Sequence, residues 1–350
     1  MSLEMNQEQQ QDLKISIQGT LGIITLDRPT HLNALSLDMI QGIQAQLDAW
    51  QNDSQVQAIL FNSNSPKAFC AGGDIRFLYN AYKTGSSDYR EYFIAEYQML
   101  DRIRNFNKPI LIILDGYVLG GGLGLAQACH ILISSEKSRF AMPETAIGFF
   151  PDVGATHFLS RLDDIGVYLA VTGEQISSSD ALYLDLIDYY VPSEHLAELV
   201  QAISVAPDVS QIKIEQLIAQ FISDPEVSNI QNLADLIHQH FSHDSIEQIE
   251  ASLAAENNPL NQAWTGKVLH ILQQRSLIAK QTSLTLQHVG RGLSLQQCMQ
   301  LERDLQDIWF EHGDLIEGVR ALLIDKDKQP KWQSHNPQLV EMIENLTKAA

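Results

Sequence analysis

Pro109-Ile-Leu-Ile-Ile-Leu-Asp-Gly-Tyr-Val-Leu-Gly-Gly-Gly-Leu-Gly-Leu-Ala-Gln-Ala-Cys129 is the stretch whose reading decides the fold. Ile110 to Leu114 is an unbroken apolar run between Pro109 and Asp115, the pattern of a strand buried on both faces. Gly116 to Gly122 then reads as a turn and Leu123 to Cys129 as a helix. A membrane span over Pro109 to Ile133 is disfavoured because Asp115, Gln127, His130 and five glycines interrupt it. The backbone N–H groups of Gly120-Gly121-Gly122 stand at a helix start, where they lack intrahelical partners and sit at the positive end of the dipole. Such a turn can bind an anion or an oxyanion, and equally it can serve only close packing of helix on strand. A dinucleotide fingerprint would need glycine at position 125, which is leucine.

Working outward, Lys14 to Asp27 reads as a β-hairpin turning at Gln18-Gly19-Thr20, and Ser36 can cap a helix with Met39, Ile40, Ile43, Leu47 and Trp50 at helical spacing. Val56 to Phe61 is another buried strand, followed by the loop Asn62 to Asp74. Strands alternating with helices imply an α/β fold with parallel crossover units and ligands at the carboxyl ends of strands. From Asp152 the pattern is mainly helical, with Asp163–Val171 and Ser179–Leu186 as early helices and Ala206-Pro207-Asp208 as the candidate linker. These readings divide the chain into a catalytic core over 12–195 and a helical C-terminal region over 196–350.

Two further segments carry chemistry. Ala71-Gly72-Gly73-Asp74 is a second glycine turn after a strand, and two such turns can aim two N–H groups at one carbonyl oxygen. Phe140 to Gly154 places Glu144 and Asp152 in an otherwise apolar segment, where desolvation favours acid–base or nucleophilic work near neutral pH. The alternative for both is helix capping after Pro143 and Pro151. His130 and His157 stand isolated among apolar residues and read as core or surface histidines, not metal ligands. Phe149-Phe150 and Tyr189-Tyr190 read as core or pocket wall.

The formal charge is −20, from 23 basic and 43 acidic side chains, which opposes binding to nucleic acid or an anionic membrane surface. It is uneven: −4 over residues 1–150, −15 over 151–250 and −1 over 251–350. The acidic stretch reads as a solvated helical surface. Cys70, Cys129 and Cys298 fit neither a disulfide framework nor a metal site, and Met1 to Asn6 has no secretory pattern, so a cytoplasmic location is expected.

Taken together, Asn33-Ala34-Leu35, Ala68-Phe69-Cys70-Ala71-Gly72-Gly73-Asp74-Ile75, Gly116-Tyr117-Val118-Leu119-Gly120-Gly121-Gly122, Pro143-Glu144 and Thr172-Gly173-Glu174 resemble the enoyl-CoA hydratase/isomerase (crotonase) superfamily. Met142 to Gly148, Phe150 to Gly154 and Glu317 to Trp332 resemble its 3-hydroxyisobutyryl-CoA hydrolase branch. The resemblance implies a crotonase-like spiral of ββα repeats with an extended C-terminal helical region. It implies an acyl-CoA thioester substrate, no cofactor beyond the CoA carried by that substrate, no metal, and a homo-oligomer as one option. It further implies that Ala71 and Gly121 form the oxyanion pair, that Glu144 is the catalytic carboxylate, that Asp152 handles the substrate's hydroxyl end and that Glu96 contacts substrate. Hydratases of the superfamily carry a second glutamate where this chain has Gly124, which makes hydration inefficient while leaving isomerisation open. Three readings follow: hydrolysis of 3-hydroxyisobutyryl-CoA or a close 3-hydroxyacyl-CoA in valine breakdown, an isomerase or hydratase, and a non-catalytic acyl-CoA-binding protein. Arg28, Lys67 and Arg76 are expected to form a positive mouth for the CoA phosphates.

Overall fold

The computed structural model describes residues 12–350; the Met1 to Asn6 stretch lies outside the described residues. Among the described residues ten strands form, β1 (Leu13–Gln18), β2 (Leu21–Leu26), β3 (Ala58–Ser63), β4 (Ala68–Cys70), β5 (Ile110–Leu114), β6 (Tyr117–Leu119), β7 (Ile131–Ser134), β8 (Arg139–Ala141), β9 (Ile176–Ser177) and β10 (Tyr189–Tyr190). They make a six-stranded sheet of order β1-β2-β3-β5-β7-β10 and a four-stranded sheet of order β4-β6-β8-β9.

The hairpin expected over 14–27 is β1 paired antiparallel to β2, with Leu13 opposite Leu26 and Gln18 opposite Leu21. From β2 onward the large sheet is parallel, as strand–helix–strand crossovers require. Ser36 caps the helix Leu37–Gln51 by accepting from Met39 N, and the five apolar residues at helical spacing are its buried face. The two short strands β4 and β6 lie inside segments that read as loop and turn. They are three residues long, too short for a period-two pattern to register, and β6 lies between Gly116 and Gly120.

The chain divides into two units whose boundaries differ from the division at 195/196 expected from sequence. Among the described residues the first comprises 12–74, 91–140 and 177–227. Its core joins Leu21, Ile23, Leu60, Leu111, Ile113 and Ile133 of the strands to Leu196, Leu199, Ile203, Ile214 and Ile218 of the helices Leu196–Ser204 and Ile212-bearing Gln211–Ile218. The Ala206-Pro207-Asp208 break is therefore a turn between two helices on one sheet face, and amphipathic helices cannot leave that face without exposing it. The second unit comprises 75–90, 141–176 and 228–350. At its centre is the helix Asp163–Thr172, buried from Gly166 to Thr172, with Tyr168 edge-on to Phe241 at 5.2 Å between ring centroids.

Because Ile214 is fully buried in the sheet core, Ile214→Ala should cost about 2–5 kcal/mol. The loss should appear as faster hydrogen exchange of β3 and β5 amides; protection loss confined to residues 228–350 would contradict the placement of this helix.

Candidate active site

The large sheet ends β5 at Leu114, and the chain runs through β6 to a left-handed turn at Gly120, φ 50°, before the helix Gly121–Ala128. Gly120 takes a backbone conformation that side chains rarely adopt, and Gly121 stands in a crowded place. A Cβ there would stand 2.8 Å from Glu96 Oε1 and 3.3 Å from Gly73 N. The two glycine turns singled out in the sequence therefore meet, and they meet at a carboxyl group.

The expectation for Ala71 is corrected. Residues 71–74 run beside Leu32–Leu35, with Ala71 N donating to Leu32 O at 3.0 Å, Leu35 N to Gly72 O at 2.8 Å and Asp74 N to Leu35 O at 2.9 Å. The Ala71 N–H is thus engaged, and alternation along an extended segment turns the Gly73 N–H the other way. Among the described residues neither Gly73 N–H nor Gly121 N–H has an acceptor. Gly121 opens a helix, whose first amides have no intrahelical acceptor. Gly73 and Gly121 are the N–H pair that can hold an oxyanion. The sequence carried the signal in the second glycine of Gly72-Gly73, but choosing between neighbouring residues needs the hydrogen-bond register.

Glu96 lies on the helix Asp88–Arg104, one turn after Tyr92, and its Oε1 is buried with no hydrogen-bond partner among the described residues. Burial pushes its pKa up to about 8, against a smaller downward pull from the Tyr92 hydrogen bond. Tyr92 itself donates to Leu35 O at 3.0 Å, tying this helix to the Ala71–Asp74 turn. Read from sequence without the family resemblance, Glu96 is a solvated helix residue; at 3% exposure it is buried.

In the second unit, Glu144 opens a 3-10 turn, Glu144–Ile147, after Pro143, and Asp152 lies in the loop that follows. Both are buried, at 8% and 6% exposure. Neither caps a helix: the short helix Ala155–Phe158 begins after Gly154 without a side-chain cap from Asp152. One helix, Leu295–His312, holds the whole segment. Glu302 accepts from Gly154 N at 2.8 Å and Thr156 N at 2.9 Å, Gln306 Nε2 donates to Asp152 Oδ2 at 2.7 Å, and Trp309 Nε1 donates to Gly148 O at 2.8 Å. Positions 302, 306 and 309 share one helix face. Their anchoring sustains Val153 at φ 53°, a strained conformation for a β-branched residue. Sequence reading missed Glu302 and Gln306, although two polar residues interrupting the apolar stripe Cys298, Leu301, Leu305 and Trp309 were a usable sign.

Other expected residues separate. Arg28 pairs with Asp12 at 3.1 Å and Asp74 at 2.8 Å and donates to Ala34 O, so it is a structural cation and its assignment to CoA is corrected. Lys67 and Arg76 are exposed and make no ion pair among the described residues. His130 accepts from Ile110 N through Nδ1 at 3.1 Å and contacts Arg104 O through Nε2, the role of a core histidine. Phe149 and Phe150 pack with Trp309 as wall.

Glu96 yields a pH prediction. Its folded-state pKa stands above the ordinary carboxyl value of 4.5, so its stabilising contribution is complete in acid and is lost as pH rises toward about 8. The stability of Glu96→Gln relative to the native chain should therefore rise steadily from pH 5 to pH 8 in urea titrations. A difference independent of pH would show that Glu96 ionises normally.

Residues 21–346 match the family model described as enoyl-CoA hydratase/isomerase. The chain is 36% identical over 328 residues to the Gallus gallus 3-hydroxyisobutyryl-CoA hydrolase, mitochondrial, covering 92% of this chain and 84% of that one. It is 32% identical to the Homo sapiens protein of the same description, with 92% and 84% covered. Among solved structures, it is similar to a carnitinyl-CoA dehydratase from Mycobacterium thermoresistibile, with TM-score 0.86, 30% identity and coverage of 97% and 95%. It is also similar to an enoyl-CoA hydratase from Rhodobacter sphaeroides, with TM-score 0.84, 34% identity and coverage of 96% and 97%. The chain belongs to the enoyl-CoA hydratase/isomerase family.

Proposed function

We propose that this chain hydrolyses the thioester of 3-hydroxyisobutyryl-CoA, or of a close 3-hydroxyacyl-CoA, releasing the free acid and CoA in valine breakdown. The observation that carries the reading is the pair of backbone N–H groups at Gly73 and Gly121, left without acceptors by the meeting of two glycine turns. A fixed pair of donors is worth most where negative charge develops, as on a thioester oxygen under attack. The relatives described as 3-hydroxyisobutyryl-CoA hydrolases supply the substrate class.

In this reading the thioester oxygen accepts from Gly73 and Gly121. Glu144 either attacks the acyl carbon, giving a mixed anhydride that water then opens, or takes a proton from the water that attacks directly. The C–S bond breaks as the anhydride forms in the first route and as the tetrahedral adduct collapses in the second, and the departing thiolate takes its proton from Asp152 or from the Glu144 carboxyl that has deprotonated the water. Asp152 holds the substrate's 3-hydroxyl group, with Gln306 fixing the position of its Oδ2. Glu96 contacts substrate beside Gly121. Cys70, the thiol beside the Gly72 turn, is not the nucleophile in this reading: burial pushes its pKa up to about 12, which leaves no thiolate near neutral pH. Gly124 supports hydrolysis over hydration, because the second glutamate of the hydratases is missing from that helix. A reducing cytoplasm belongs to the proposal and is supported by three buried free cysteines.

Glu144→Gln should abolish release of free thiol from 3-hydroxyisobutyryl-CoA while CoA still binds. Retained turnover would remove Glu144 from the reaction, and loss of enoyl absorbance without thiol release would favour the isomerase or hydratase reading. A second expectation concerns the CoA phosphates: Lys67→Ala and Arg76→Ala should each raise KM severalfold at low salt, with the effect shrinking as ionic strength rises. Unchanged KM in both variants would refute a positive mouth at these residues.

A further inference from the structure

The helix Asp88–Arg104 sets a fully buried tyrosine, Tyr92, one turn before Glu96, and residues four apart share a helix face. A phenol in such a place needs partners for its hydroxyl group, and three neighbours surround this one. It donates to Leu35 O at 3.0 Å. It stands 2.7 Å from where a Cβ on Gly73 would come. It also hydrogen-bonds the Glu96 carboxyl group. The ring itself is held edge-on to Phe93, at 5.7 Å between centroids.

Leu35 frames the Gly72-Gly73 turn from both sides, since its N–H donates to Gly72 O at 2.8 Å and its carbonyl oxygen accepts from Asp74 N at 2.9 Å. The bond from Tyr92 ties the helix Asp88–Arg104 to that frame. Glu96 completes the arrangement, because its Oε1 lies 2.8 Å from where a Cβ on Gly121 would stand. Tyr92 thus backs Gly73, Glu96 backs Gly121, and the two side chains are bonded to each other.

A phenol carries one proton and can accept as well as donate. With that proton on Leu35 O, the Tyr92 oxygen can accept from a protonated Glu96. Rotated toward Glu96, the same proton serves the ionised carboxylate, and Leu35 O keeps the Asp74 N–H. The link therefore holds Glu96 in either state. Those states differ for chemistry at Gly121, since a carboxylate there repels negative charge developing on a thioester oxygen. Burial pushes the Glu96 pKa up to about 8, so the neutral form, which leaves the N–H pair unopposed, prevails near neutral pH.

We propose that Tyr92 is a positioning residue of the thioester site: its hydroxyl group fixes the Gly72-Gly73 turn against Glu96 and so sets the spacing of the Gly73 and Gly121 N–H groups around the thioester oxygen. The role rests on the hydrolase reading above and is exerted through Gly73 and Glu96.

Tyr92→Phe keeps the ring and removes only the hydroxyl group, so the full chain carrying it tests the role. In thiol release from 3-hydroxyisobutyryl-CoA, kcat should fall roughly tenfold, the effect of one hydrogen bond lost at the transition state, while KM changes by less than about twofold. A second measurement needs no turnover: an NMR titration of the Glu96 carboxyl carbon in the unliganded chain. The Tyr92 hydrogen bond favours the ionised form, so its removal should move the Glu96 midpoint upward from about 8, and the alkaline limb of kcat should move with it. Two other acidic groups stand near this pair. Burial pushes the Cys70 thiol up to about 12, and Asp74 is turned to Arg28 at 2.8 Å, so neither supplies a limb near pH 8. Glu96→Gln should lack that limb whatever its remaining rate. A tyrosine that served packing alone would lower stability in urea and leave the Glu96 midpoint in place. An unmoved midpoint or a native kcat in folded Tyr92→Phe overturns the proposal, as does a limb retained in Glu96→Gln. A shifted midpoint in a chain that hydrolyses no acyl-CoA counts against the hydrolase reading alone and supports the link between Tyr92 and Glu96.

Discussion

The approach of two backbone turns to each other governs the first unit's chemistry. Gly72-Gly73 and Gly120-Gly121 lie so close that a Cβ on Gly121 would stand 3.3 Å from Gly73 N, and the same Cβ would stand 2.8 Å from Glu96 Oε1. Three constraints follow from that one proximity. A side chain at position 121 would have to displace the Glu96 carboxyl, the Gly73 and Gly121 amides have no acceptor among the described residues, and Glu96 Oε1 is buried without a hydrogen-bond partner there. Donors without acceptors and a carboxyl group without solvent are costly in a resting protein. They become favourable once a polarised carbonyl group occupies the space.

The second unit meets a related demand by a different device. Asp152 sits in a loop containing a valine in a left-handed conformation, and such a loop would relax if nothing restrained it. Its restraint is one face of the helix Leu295–His312, which supplies a carboxylate to two backbone N–H groups, an amide to Asp152 and an indole to Gly148 O. Residues some 150 positions away in the chain thereby hold Asp152 and its loop in place. The helical C-terminal part is a support for the candidate site in this unit and not an appendage.

The charge distribution gains meaning from the same partition. The formal −20 argued from the start against polyanionic partners, while a CoA ester is itself a polyanion. Arg28 cannot relieve that conflict, since Asp12 and Asp74 already neutralise it. Lys67 and Arg76 are exposed and make no ion pair among the described residues. Local unpaired cations, not net charge, decide where an anion is held.

Much of this protein is determined by sequence alone. Five apolar residues between Pro109 and Asp115 mark a buried strand, and glycine at 120 opens a turn before a helix, because freedom at positive φ is what that turn consumes. The hairpin, the Ser36-capped helix and the α/β class follow from period and capping in the same local way. What only tertiary structure decided is which of neighbouring groups is engaged. Ala71 and Gly73 are equivalent on paper, and the parallel register beside Leu32–Leu35 engages one amide and leaves the other. Arg28 looks available until Asp12 and Asp74 close on it, and Glu96 looks solvated until Gly121 comes beside it. The helices at 196–218 look like the start of a separate region until their apolar faces cover the sheet. Periodicity is written along the chain, whereas engagement, burial and charge pairing depend on segments tens to hundreds of residues apart, and only the folded arrangement brings those together.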